Sequence, residues 1–308
     1  MPSLEEESST YDITPLGLEP SIDQGWTRAS GEVRHHGFTR QGLSSPTLSL
    51  SSAEVDGELE VIATVTNSAA GHAVPTGEPM KQLLIRIRVQ DDTGTEVLAS
   101  GGQAVPDVGG YRATGSLGEE MEIVDGILTL QDSLSEDASD LVVRFTRPTG
   151  TWDDYAGPGT APFSATELSA EAKGLELEEF LGEVAVLSVD GSRLELGGEG
   201  PVLQDGDRFY VATEADYAGA SGWFYGKVLV DAEGSRGVPH YRAVDVASDN
   251  RIARNTSSST AYRFPLEGST LTVEATLIRR EQAAPVSDLY GWPSNDELIT
   301  TITETFEP

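Results

Sequence analysis

Four histidines, no cysteine and 51 acidic side chains delimit the chemistry open to this chain of 308 residues. Two of the histidines are adjacent, in Arg34-His35-His36-Gly37-Phe38. Imidazole titrates near neutrality and ligates metals, so His35 and His36 read either as ligands or as two solvated side chains on a flexible arm. His72 lies in Gly71-His72-Ala73-Val74-Pro75-Thr76-Gly77. There the ring reads either as a ligand or as a donor to a backbone carbonyl that pins an irregular loop, whose shape Pro75 and Gly77 fix. His240, in Val238-Pro239-His240-Tyr241, carries the same structural reading. Asp249-Asn250-Arg251 is a compact polar triplet. Arg251 bidentate on Asp249 staples a loop; calcium ligation by Asp249 with other loop acids is the competing reading.

Catalytic patterns are missing. The sequence holds no His cluster for zinc, no HExxH, no G-x-S-x-G elbow, and no Walker or dinucleotide glycine loop between a strand and a helix. Paired carboxylates carry no information, because 51 acids supply every spacing by chance. A chain without cysteine forms no disulfide, no thiolate metal site and no covalent c-type haem attachment of its own. The expectation is a protein that is not an enzyme.

The charge balance excludes further classes. Fifty-one acids against 20 bases leave a net −31. That field repels nucleic-acid phosphates and anionic lipid, and it favours solubility, salt and basic partners. No run of 18 apolar residues is present, so no membrane insertion by helices is expected. The start, Met1-Pro2-Ser3-Leu4-Glu5, shows no apolar stretch of the signal-peptide kind.

The elements that must position these residues read as strands. Residues 1–50 lack apolar periodicity and read as an extended N-terminal arm, leaving 51–308 as the folded domain. Leu59, Val61, Ala63 and Val65 alternate with polar neighbours; Leu83, Ile85, Ile87 and Val89 repeat the pattern before the Asp91-Asp92-Thr93-Gly94 turn. Tyr262 and Phe264, then Leu271, Val273, Ala275 and Leu277, write two late strands, and Leu298 to Thr303 a final one. Residues 182–212, short apolar pieces between Gly turns, read as a small barrel-like inserted subdomain. Ala165 to Leu181 is the one stretch with helical spacing. Strands without intervening helices predict an all-β antiparallel β-sandwich carrying an insertion.

Three segments together resemble the C-terminal β-domain that follows the haem-binding region of many multihaem c-type cytochromes. The first is Val61 to Asn67 running into Gly71-His72-Ala73-Val74-Pro75-Thr76-Gly77; the second is Leu84 to Val89 with Asp92-Thr93-Gly94. The third is Asp249-Asn250-Arg251-Ile252, Tyr262-Arg263-Phe264-Pro265 and Val273 to Arg279. Order and spacing agree over residues 33–115 and 222–292, and the middle matches no known pattern. Ala253 stands where the family has Pro, and Ile278 where an aromatic is common. In such cytochromes Met-Pro often follows a Cys-x-x-Cys-His haem site, so Met1-Pro2 reads either as a native start or as sequence downstream of a last haem.

The resemblance implies a non-catalytic structural module in extracellular or periplasmic electron transfer, partnered by a haem-bearing cytochrome polypeptide or segment, with self-assembly open. It implies that His36, at the better spacing, or His35 is an axial ligand to haem c of an adjoining chain or segment. Calcium is the other cofactor expectation. The alternative is a stand-alone extracellular carbohydrate-binding or adhesion module, with Trp152, Trp223 and Trp292 stacking on sugars or packed in the core.

Overall fold

The computed structural model describes residues 46–68, 70, 72–75, 80–107, 114–117, 123–134, 141–151, 176–198, 200–213, 216–266, 270–282 and 296–308. His35, His36, Gly77, Trp152, Trp292 and residues 165–175 lie outside them.

Alternation of apolar and polar residues dictates the first sheet. β2 (Glu58–Asn67) turns Leu59, Val61, Ala63 and Val65 fully inward. Burying each valine or leucine side chain stabilises the fold by about 1.5–3 kcal/mol. β1 (Thr47–Val55) pairs along one side of β2, beginning inside the stretch that reads as an arm. β14 (Thr256–Pro265) pairs along the other side over ten residues, from Thr256↔Asn67 to Pro265↔Glu58. Its polar first half, Thr256 to Thr260, has no apolar alternation to announce it. Hydroxyl pairs on the outer face hold it instead: Thr64 to Ser259 at 2.7 Å and Thr66 to Ser257 at 2.8 Å. β4 (Gly101–Gly102) completes the order β1-β2-β14-β4.

The second sheet runs β13 (Asp245–Asp249), β12 (Gly222–Val230), β3 (Gln82–Gln90), β15 (Leu271–Arg280), β16 (Asp296–Phe306). Ile85, Ile87, Val89, Trp223, Val273, Ala275 and Leu277 form one buried cluster with the inward face of β2 and with Tyr262 and Phe264. The two sheets therefore enclose a common core, a β-sandwich. β12 and β3 approach so closely that a Cβ at Gly222 would sit 2.1 Å from the Ile85 carbonyl oxygen; only glycine fits. The second sheet is covered on its other face too. Leu84, Phe224 and Ile278, neighbours across three strands, are buried there, and Tyr217 lies against the guanidinium groups of Arg86 and Arg280.

A third sheet has its own core. Its order is β5 (Thr114–Ser116), β11 (Arg208–Ala212), β8 (Val142–Thr151), β9 (Glu176–Asp190), β10 (Arg193–Leu196), β7 (Ile127–Thr129), β6 (Ile123–Val124). Leu128, Val143, Phe145, Val184, Val186, Leu194, Phe209 and Val211 pack together and apart from the sandwich core. Residues 182–212 thus supply part of an open seven-stranded sheet that also draws on strands from Thr114 onward. Among the described residues its end strands β5 and β6 do not pair, and no barrel closes. The helical reading of Ala165 to Leu181 is overturned over its last six residues, which open β9. A bulge at Leu181 shifts the register, with Thr146 opposite Phe180 but Phe145 opposite Gly182, and that irregularity breaks the period-2 signal. No α-helix occurs among the described residues.

Candidate functional site

The loop after β2 and the turn after β13 are 185 residues apart in sequence and meet at one end of the sandwich. Asn67, the last residue of β2, is buried, and its Nδ2 donates to the carbonyl oxygens of His72 at 2.8 Å, Ile252 at 3.1 Å and Ala253 at 3.2 Å. Its Oδ1 accepts from the Ala70 N–H at 3.2 Å. One side chain thus bonds backbone groups of two distant segments at once. Val74 and Ile252 then exchange both backbone hydrogen bonds, at 2.9 and 2.8 Å, as a single antiparallel rung. Both side chains are buried beneath it. The Val74-Pro75 peptide is cis, and Pro75 is buried.

His72 is exposed, with Nδ1 3.1 Å from the carbonyl oxygen of Ala73. The ring caps the loop from outside, and Asn67 holds it from within. His240 is also exposed and packs edge-on against Tyr241, their ring centres 5.5 Å apart.

The polar triplet divides its labour. Asp249 receives Arg251 in a bidentate pair, Nε at 2.7 Å and a terminal nitrogen at 2.6 Å, and Lys227 lies 3.4 Å away. Two cations saturate that carboxylate, which leaves poor provision for calcium, an ion that takes six or more oxygens. Among the described residues no three His, Asp or Glu side chains converge as a metal set. Asn250, buried between them, accepts from the Gly226 N–H at 2.8 Å and donates to the Phe224 carbonyl at 2.7 Å, anchoring the turn to β12.

A second polar constellation, unannounced by the sequence, lies in the seven-stranded sheet. Glu178 is buried, and its Oε2 accepts from the hydroxyls of Thr146 at 2.5 Å and Tyr210 at 2.6 Å, its Oε1 from Arg208 at 2.6 Å. Burial, with the Glu178 carboxylate beside it, pushes the Tyr210 phenol well above its ordinary value. Arg144, equally buried, donates to Glu183 at 2.6 Å and to the carbonyls of Asp216 and Ala218. Arg147 is bidentate on the buried Asp207, at 2.8 Å for both contacts. These groups are committed to one another, and such satisfied networks fix a core rather than perform chemistry. Nothing in the local sequence separates Glu178 or Asp207 from the other acids.

Trp223 is fully buried opposite Ile85 and offers no face to a sugar.

No sequence family and no curated protein matches the chain. Among solved structures it is similar to a penta-haem cytochrome c552 from Thermochromatium tepidum, at 11% identity and a TM-score of 0.39, over 85% of this chain and 40% of that one. It is also similar to Clostridium perfringens delta-toxin, at 9% identity and a TM-score of 0.12, over 84% and 87%. At these scores neither likeness bears on function.

Proposed function

We propose that this chain is a non-catalytic β-sandwich module of a multihaem c-type cytochrome system, working in extracytoplasmic electron transfer. Its part is to shape or dock a haem-bearing polypeptide, and His36 or His35 supplies an axial imidazole to a haem carried by that partner. The single observation behind this reading is the joint between Asn67, His72–Pro75 and Asp249–Ile252. Two of the three segments that resemble the cytochrome β-domain, far apart in sequence, contact one another as one hydrogen-bonded unit. Chance matches scattered along a chain have no reason to converge. The saturated state of Asp249 and the enclosure of Glu178 support a structural role over a catalytic one.

Reading the flanking DNA tests the proposal. Several Cys-x-x-Cys-His motifs in the same or adjacent reading frames are expected. Neighbouring genes free of such motifs would contradict it.

A further inference from the structure

The seven-stranded sheet leaves a cleft of about 650 Å3 beside its core, within the size range of small-molecule sites. Phe145, Val184, Leu196 and Leu203 supply apolar walls, and Pro201 closes one side. Gly197, Gly198 and Gly200 bring backbone to the opening without side chains. A Cβ at Gly198 would meet nothing within 4 Å, and one at Gly200 only Val184, at 3.7 Å. A side chain at Gly200 would therefore reach into the space beside Val184, whereas one at Gly197 would meet Leu187 at 2.9 Å. A second observation concerns the rim. Val202, between the lining residues Pro201 and Leu203, is 91% exposed there.

Charge selects the ligand. Among the described residues that line the cleft, Asp205, exposed at the rim beside Gln204, is the acidic one, and none is a lysine, arginine or histidine. The whole chain adds a net −31. We propose that this cleft binds a small apolar molecule, neutral or cationic, with its polar end at Asp205 and its body against Phe145 and Leu203. The site is independent of the haem-partner reading, because it lies in the seven-stranded sheet and uses none of the residues of the Asn67 joint.

Two dyes of one skeleton test it: N-phenyl-1-naphthylamine, which is neutral, and 8-anilinonaphthalene-1-sulfonate, which is anionic. Both are titrated by fluorescence into the full chain in about 1 M NaCl, where screening over about 3 Å removes the long-range field. The expected result is one neutral dye per chain, bound at least about tenfold more tightly than the sulfonate. Gly200→Leu, which fills the cleft, weakens the neutral dye by at least about tenfold, while Asp205→Asn raises affinity for the sulfonate. No binding of the neutral dye, or equal binding by wild type and a folded Gly200→Leu protein, overturns the proposal. If Gly200→Leu fails to fold, the Asp205→Asn arm decides. Sulfonate affinity unchanged by that substitution overturns the proposal, and a gain supports it.

Discussion

Replacing Asn67 by alanine isolates the joint that unites the two distant segments. The carbonyls of Ile252 and Ala253 keep other donors, the Val74 N–H at 2.9 Å and the Thr256 hydroxyl at 2.8 Å. The His72 carbonyl and the Ala70 N–H lose the partner that Asn67 provided. Stranding a buried polar group costs about 1–3 kcal/mol. Ala70 is buried whereas the His72 turn is reached by water, so the second loss is discounted. The sum is about 1–4 kcal/mol. Urea unfolding followed by the fluorescence of buried Trp223 measures it, as a lower midpoint at unchanged slope. Asn67→Asp is the sharper companion. It keeps the shape but aims a carboxylate at three carbonyl oxygens, and it should cost more than alanine. An Asn67→Ala protein within about 0.5 kcal/mol of wild type, the range of ordinary surface changes, would refute the reasoning.

Three further outcomes are expected. Glu178→Ala removes the acceptor of two buried hydroxyls, and should cost about 2–4 kcal/mol in the same unfolding assay; a smaller loss than a surface Glu→Ala control contradicts the burial argument. Tyr210 gives an alkaline signature. The unfolded phenol loses its proton near pH 10 and the folded one only higher, so the folded state holds the extra proton. The resulting stability is full below about pH 10 and is lost as pH rises toward the folded value. Tyr210→Phe should flatten that decline by up to about 1.4 kcal/mol per pH unit, and an unchanged slope denies the shift. For the −31 surface, melting temperature should climb with NaCl as the screening length shrinks from about 10 Å at 0.1 M to about 3 Å at 1 M. Millimolar calcium should add little beyond matched ionic strength, and a large calcium-specific rise contradicts the saturated state of Asp249.

The sandwich was legible where one face of a strand meets the core and the other meets water. Leu59 to Val65 and Leu271 to Leu277 fit that condition, and their alternation reads directly as strand. At Leu84, Phe224 and Ile278 both faces of the sheet are covered, so alternation gives way to apolar runs whose second buried face the sequence does not reveal. The first half of β14 hides for the opposite reason, since serine and threonine pair there through hydroxyls. The seven-stranded sheet escapes sequence reading because its outer strands are only two to four residues long and its pairing is set across long loops. Motif spacing drew attention to His72 and Asp249, whereas the geometry gives the buried, connecting work to Asn67 and Asn250. An amide's partners 185 residues away leave no local trace.

The most direct test of the account is the colour of the protein recovered from its native cells. An affinity-tagged copy, isolated gently and resolved by size exclusion, should emerge with a chain that stains for covalent haem and carries a Soret band. The same chain made alone should show mainly β circular dichroism and no Soret absorbance. A colourless native fraction with no haem-bearing partner would contradict the proposed role.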